Sequence, residues 1–230
     1  GPSSVWENGG IRYYHWKEVD FGDGFAAIPD PNNKRYVYAM SQGGSIVRSD
    51  LETGEWKSIR PAHPDGVTLR FNWNAGLAID PFDGAAYYGS QFVHKTTDLG
   101  HSWTIISPDL TTNDSTKQQQ LESGGLTYDV TAAENHTTIL TIAPSPVERG
   151  VIWVGTDDGN VQVTRDGGAT WANTVDRIPG VPRATWVPHI EASRHDRGTA
   201  FVVFDNHRRG DNTPYVFKTT DYGRTWTSLV

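Results

Sequence analysis

The chain has 230 residues, with 20 Lys or Arg against 27 Asp or Glu and a formal net charge of −7. The basic residues are scattered, which argues against a nucleic-acid backbone as partner, and no stretch approaches the roughly 20 apolar residues of a membrane helix. Cysteine is absent, which removes disulfides, thiol nucleophiles and thiolate-bound metals, while 9 Trp and 24 Gly predict short strands joined by tight turns.

Gly1-Pro2-Ser3-Ser4 (residues 1–4) resembles a protease-cleavage scar, so the missing leader says nothing about secretion. Ile11–Val19 then reads as the outer half of a four-stranded unit, over 11–20, with Trp16 as its Trp. Four full units follow, at about 21–60, 74–107, 136–176 and 187–230, within one domain over 5–230. The first offers strands at Phe25–Pro29, Tyr36–Ala39 and Ser45–Arg48. The second offers Gly76–Pro81, Ala86–Ser90 and Phe92–Lys95. The third offers Thr138–Ala143, Val151–Thr156 and Asn160–Thr164, and the fourth His189–Ser193, Thr199–Phe204 and Pro214–Lys218.

Each unit closes on the same turn. Thr96 to Trp103, Thr164 to Trp171 and Thr219 to Trp226 align without gaps as T-x-D-x-G-x-[ST]-W. Arg48 to Trp56 is a worn copy with one residue inserted. Asp50, Asp98, Asp166 and Asp221 are expected to accept backbone N–H groups one to three residues on, as turn staples. Gly100, Gly168 and Gly223 supply the positive φ of a tight hairpin. Trp56, Trp103, Trp171 and Trp226 open the returning strand as packing anchors. A catalytic acid has no reason to recur once per repeat.

Four strands per repeat predict an all-β fold, a β-propeller of four blades plus the N-terminal half-blade, either closing as a small ring or forming part of a larger or self-assembled one. A cut ring exposes sheet faces that normally bury against a neighbour.

The boxes resemble the Asp-boxes, or BNR repeats, of sialidases, xyloglucanase-type glycoside hydrolases and sortilin-like receptors. Gly22–Phe25, Arg70–Asn74, Ser107–Thr111, Glu134–Thr137 and Trp153–Val161 further resemble secreted bacterial sortilin-like BNR-repeat proteins often labelled glycosyl hydrolases. That resemblance implies a propeller, an extracellular or periplasmic location and a glycan as ligand. It leaves catalysis open, because such boxes also occur in propellers with no activity.

In a propeller the inter-blade connections and the turns between second and third strands share one side of the disc. Three long segments collect there, 57–74, 104–136 and 172–189. Arg70, Asn72, Trp73 and Asn74 suit a sugar, by ring stacking and hydrogen bonds; an Arg–Trp stack bracing a strand is an equal alternative. Glu134 and His136 precede an inner strand and are expected to look into the channel. Trp186 and His189 lie on the third segment. His189 and Glu191, two apart on a strand, would point the same way, as a structural hydrogen bond or as a catalytic pair. Asp109, Glu122, Asp129 and Glu134 are the other carboxylates that a two-carboxylate glycosidase could use, and solvated loop charges are their plainer reading.

The resemblance also names what is missing. A sialidase would need three arginines from different blades, and only Arg70 sits convincingly there, with Arg183, Arg208 and Arg209 as further options. Xyloglucanase-type enzymes place their two Asp across two propellers, so one incomplete ring does not supply that cleft. Asp157-Asp158-Gly159-Asn160 has oxygen ligands but not the spacing of a calcium loop, and no metal or cofactor is expected. The function expected is therefore glycan binding by a segment of a secreted carbohydrate-active protein, not catalytic alone. The alternative is a non-catalytic scaffold that pairs through open blade edges with a second copy or another propeller segment.

Overall fold

A computed structural model describes residues 16–119 and 135–230. Among the described residues, sixteen strands fall into four antiparallel sheets of four, each in strict chain order. The first sheet holds β1 (Gly24–Pro29), β2 (Tyr36–Ser41), β3 (Ser45–Asp50) and β4 (Trp56–Ser58); the second β5 (Leu77–Ile79), β6 (Ala86–Gly89), β7 (Val93–Thr96) and β8 (Thr104–Ile105). The third holds β9 (Ile139–Pro144), β10 (Ile152–Thr156), β11 (Val161–Thr164) and β12 (Ala172–Asn173); the fourth β13 (Trp186–Ala192), β14 (Ala200–Asp205), β15 (Tyr215–Thr219) and β16 (Thr227–Ser228). The repeat in the sequence is thus one sheet. Of the half-blade expected over 11–20, residues 11–15 lie outside the described residues and 16–20 carry no strand.

The sheets stack face to face, so their middle strands are buried on both sides. Every residue of β6, β10 and β11 is buried, which is why Val151–Val154 reads as a continuous apolar run. Tyr38, Met40 and Ile46 pack on Ala86 and Tyr88 between the first two sheets. Tyr87 and Val93 meet Ile139, Ile152 and Val154 between the second and third. Trp153, Val161 and Val163 meet Ile190, Val202 and Phe217 between the third and fourth. Two glycines let the backbones come this close. A Cβ on Gly89 would stand 2.7 Å from Ile139 Cγ2, and one on Gly155 2.5 Å from Val187 Cγ1.

Among the described residues no hydrophobic cluster joins the fourth sheet to the first, so the four blades form an open arc. On the free face of the fourth sheet Phe201, Val203, Val216 and Lys218 are half-buried, and His189 and Glu191 exposed.

The box turns differ from expectation in one respect. Asp98 does not bond the next three N–H groups. Its Oδ1 accepts from Ser102 N at 2.9 Å and from Thr96 Oγ1 at 2.8 Å, and its Oδ2 from Ser102 Oγ at 2.6 Å. Asp221 repeats this with Thr225 N, Thr219 Oγ1 and Thr225 Oγ, and Asp166 with Thr170 and Thr164. The reason is the preceding threonine, whose Oγ1 takes the Gly100 N–H at 3.0 Å and frees the carboxylate to reach four residues on. Only Asp50, in the worn copy, makes the expected bonds, to the N–H groups of Glu52 and Thr53. The Ser102 and Thr170 hydroxyls, with backbone help, hold Asp98 and Asp166 down at about 2, so both are ionised staples. Residues between Asp and Gly are left-handed too, with φ of 60° at Leu99, 72° at Gly167 and 58° at Tyr222.

A second staple recurs where β1, β5, β9 and β13 end, and the sequence reading overlooked it. Asp30 Oδ1 caps the N–H groups of Asn32 and Asn33, and Asp80 Oδ1 those of Phe82 and Asp83. Ser145 and Ser193 do the same with their hydroxyls. These turns sit beside the boxes, as the Gly167 N–H to Gly150 and Tyr222 N–H to Gly198 bonds show, both at 2.9 Å. The inter-blade connections and the β2–β3-type turns therefore occupy the opposite side.

Trp103 and Trp171 anchor their strands as expected, donating their indole N–H groups to the carbonyls of Ile59 and Ile106 in the preceding blade. Trp56 does not; it is 62% exposed.

Candidate functional site

The innermost strands β1, β5, β9 and β13 line a trough of about 870 Å³ along the axis of the arc. Its walls are apolar where these strands alternate, at Ile28, Leu77, Leu140 and Ile142, and its polar residues are Asn74, Thr141, His189, Glu191 and Arg194. His189 Nε2 lies 3.9 Å from Glu191 Oε2, and Arg194 Nε lies 3.8 Å from Glu191 Oε1. The period of two along β13 turns both His189 and Glu191 the same way, and the free face of the fourth sheet leaves them solvated. Glu191 is the one carboxylate among the described lining residues, whereas glycoside hydrolysis uses two. Arg194 went unnoticed in the sequence; its only signal is its place three residues after Glu191.

Arg70, Asn72, His136 and Trp186 are engaged within the protein itself. Arg70 pairs with Asp109 at 2.7 Å and donates to the Thr137 carbonyl and the Thr111 hydroxyl. Its guanidinium thereby ties the first inter-blade connection to the second. Asn72 is buried and donates to Asp157 Oδ2 at 2.8 Å. Trp73 is half-buried, with its N–H on Asn72 Oδ1. Of this run only Asn74 reaches the trough.

Asp157 and Asp158 form the β10–β11 turn and are buried. Thr138 gives Asp157 its N–H and its hydroxyl, and Thr112 does the same for Asp158. Burial, reinforced by the Asp158 charge, pushes the Asp157 carboxyl up to about 7. These carboxylates knit three connections together. Among the described residues no group of three or more His, Cys, Asp or Glu is placed to hold a metal ion.

His136 does not look into the trough. It is 3% exposed and tilted against Trp186 at a centroid distance of 6.3 Å. Burial brings its imidazole down to about 4, so it is neutral at physiological pH. Trp186 carries Arg208 stacked 3.7 Å above its ring, on the connection side as expected. Arg208 approaches Asp205, which also binds His207 at 2.6 Å. Glu122, Asp129 and Glu134 lie outside the described residues.

No family model matches the chain. It is 23% identical over 218 residues to an oligoxyloglucan-reducing end-specific xyloglucanase of Emericella nidulans, covering 88% of this chain and 23% of the relative. A probable enzyme of the same name from Neosartorya fischeri is 24% identical, covering 94% of this chain and 25% of the relative. The chain thus spans about a quarter of the length of these curated relatives. Among solved structures, the Dos1 propeller superposes with a TM-score of 0.59 over 92% of this chain and 50% of its own, at 13% identity. The GH74 enzyme of Niastella koreensis gives 0.55 over 91% and 30%, at 17% identity. The GH74 xyloglucanase of Xanthomonas campestris gives 0.51 over 90% and 38%, at 16% identity. The fold is that of a β-propeller.

Proposed function

We propose that this chain is a glycan-binding segment of a larger, secreted carbohydrate-active propeller protein, and that its glycan lies along the axial trough. The observation that carries this reading is the trough itself, an apolar floor with Asn74, Thr141, His189, Glu191 and Arg194 at its polar positions. Sugars need that mixture, because their C–H faces bury against apolar walls while their hydroxyls require directed partners. The curated relatives are named for xyloglucan chemistry, which favours xyloglucan or its oligosaccharides as the glycan and an extracellular or periplasmic setting. The box turns fit an Asp-box, BNR or sortilin-like lineage. With one carboxylate among the described residues of the trough, the reading is of a chain that binds rather than cleaves by itself.

The test is calorimetric titration with xyloglucan oligosaccharides. Binding that Asn74→Ala and His189→Ala both weaken supports the reading. Binding indifferent to both variants, or no heat at all, rejects it.

The free face of the fourth sheet favours a second reading, in which the chain pairs with another propeller segment or a second copy. Phe201, Val203 and Val216 stand where the other sheets bury their neighbours. Absolute solution mass across a concentration series decides: a monomer at every concentration removes self-pairing, and a stable dimer that Val203→Glu dissociates establishes it.

A further inference from the structure

The second strand of every sheet carries an aromatic residue at one register, flanked by a residue of the first strand and a residue of the third. The row is Ile28, Tyr38 and Arg48 in the first sheet, Ala78, Tyr87 and Lys95 in the second, and Ala143, Trp153 and Val163 in the third. In the fourth it is Glu191, Phe201 and Lys218. Tyr38, Tyr87 and Trp153 are buried in the clusters that join each sheet to the next, and Ala78 and Ala143 pack into the same clusters. The fourth row lies on the free face, and it alone carries an acid.

Neither charge of this row is hydrogen-bonded among the described residues. Glu191 has His189 Nε2 at 3.9 Å and Arg194 Nε at 3.8 Å, both beyond hydrogen-bond reach. Lys218 forms no ion pair among the described residues, and its Nζ lies 5.7 Å from the Phe201 ring centroid. The corresponding bases of the first two sheets are engaged, Arg48 by the Leu99 carbonyl and Lys95 by Asp83.

The row is self-complementary. Glu191 and Lys218 stand one strand to either side of Phe201, each about 4.8 Å from it. A two-fold axis running along the strands beside Phe201 sets Glu191 opposite Lys218 of a second copy, Lys218 opposite its Glu191, and the two Phe201 rings together. An isologous interface requires that reciprocity. The neighbouring row, His189, Val203 and Val216, adds two valines to the apolar centre. A head-to-tail pairing would instead use the outer face of the first sheet, and that face is closed. Val37, Ala39 and Val47, which alternate with Tyr38, Met40 and Ile46, are buried, and the Ser49 hydroxyl on the same side donates to the Val19 carbonyl.

We propose that the fourth sheet pairs face to face with the fourth sheet of a second copy about a two-fold axis, through two Glu191–Lys218 ion pairs around Phe201, Val203 and Val216. This rests on the pairing reading above and supplies its geometry. Charges so placed fix the register, because a misaligned partner sets like charges together. A face four strands wide, roughly 15–20 Å, is small for a specific interface, so the dimer forms toward high concentration.

The test is sedimentation of the chain and its variants across a concentration series. The unaltered chain should dimerise. Glu191→Lys and Lys218→Glu should each raise the dimer dissociation constant at least about tenfold, since both contacts then oppose like charges. An equimolar mixture of the two variants should dimerise as the unaltered chain does, and so should the double variant, because every contact is complementary again. Both side chains lie on the free face, so the variants are expected to fold. A dimer that neither single variant weakens, or that the mixture does not restore, overturns the two-fold arrangement while leaving pairing in place. A chain monomeric at every concentration removes both.

Discussion

The Trp226 indole and the Thr174 carbonyl are partners that a short helical turn has separated. Thr174 follows β12 as Ile59 follows β4 and Ile106 follows β8, and its N–H bonds back to Val161 just as theirs bond to Ile46 and Val93. Gly223 presses on Thr174 as Gly100 presses on Ile59. Yet the Thr174 carbonyl accepts the Arg177 N–H at 3.0 Å, within the 3-10 turn Val175–Arg177, and Trp226 Nε1 is left buried without a partner among the described residues. The same turn carries Arg177, whose guanidinium donates to the Gly223 carbonyl at 3.2 Å.

Replacing each tryptophan by the isosteric analogue with sulfur in place of the indole N–H isolates that bond from packing. At Trp103 or Trp171 the Ile59 or Ile106 carbonyl loses its donor, and we expect a loss of about 1–3 kcal/mol in urea unfolding. At Trp226 the change should be neutral or stabilising. Equal losses at all three positions would show that Trp226 is satisfied in solution.

Neighbouring glycines in the third box should differ sharply. Gly167 has φ of 72° and open space around it, so Gly167→Ala should cost about 1 kcal/mol from the left-handed backbone alone. Gly168 has φ of 103°, and a Cβ there would stand 2.3 Å from the Ile106 carbonyl oxygen. Gly168→Ala should cost about 3 kcal/mol or more. Similar midpoints for the two variants would mean that the Ile106 strand yields easily.

Arg70 tests bracing against recognition. Its side chain is 15% exposed and paired with Asp109, so Arg70→Ala should destabilise by about 2–4 kcal/mol, with a double-mutant coupling to Asp109→Ala of about 1–3 kcal/mol. Oligosaccharide affinity in the trough should not change. Lost affinity without lost stability would return Arg70 to the ligand.

Stability should peak near pH 6.5. His94 and His136 are buried with imidazoles brought down to about 4 from 6.5. Below pH 6.5 the unfolded chain binds protons that these sites refuse, so each adds up to about 1.4 kcal/mol of stability per pH unit gained between 4 and 6.5. Asp157, held up at about 7, acts oppositely. Its folded form keeps a proton that the unfolded chain sheds above about 4, so stability falls with rising pH until about 7. Two rising contributions outweigh one falling until the histidines are spent. Urea unfolding across about pH 4–8 should therefore show a rise and then a shallow fall, and His94→Gln should flatten the acid limb. A monotonic fall from pH 4 upward would contradict the assigned protonation states.

The sequence alone carried the repeat, the strand order within each blade and the box turns, because those depend on local chemistry. Thr, Asp, Gly and Trp at fixed spacing close a hairpin wherever they occur, and the apolar runs around Val151–Val154 mark strands buried on both faces. Tertiary structure decided what each long-range partner was. Arg70, Asn72 and His136 have the residue types of a ligand site, and only the folded chain shows Asp109, Asp157 and Trp186 occupying them. The stacking of Arg165 on Tyr222 and the bond from Arg177 to the Gly223 carbonyl were equally hidden, since these residues meet only when two blades stack. Polar side chains look alike in a sequence whether they face water, a ligand or a neighbouring carbonyl, and what distinguishes them is the position of groups brought near by packing.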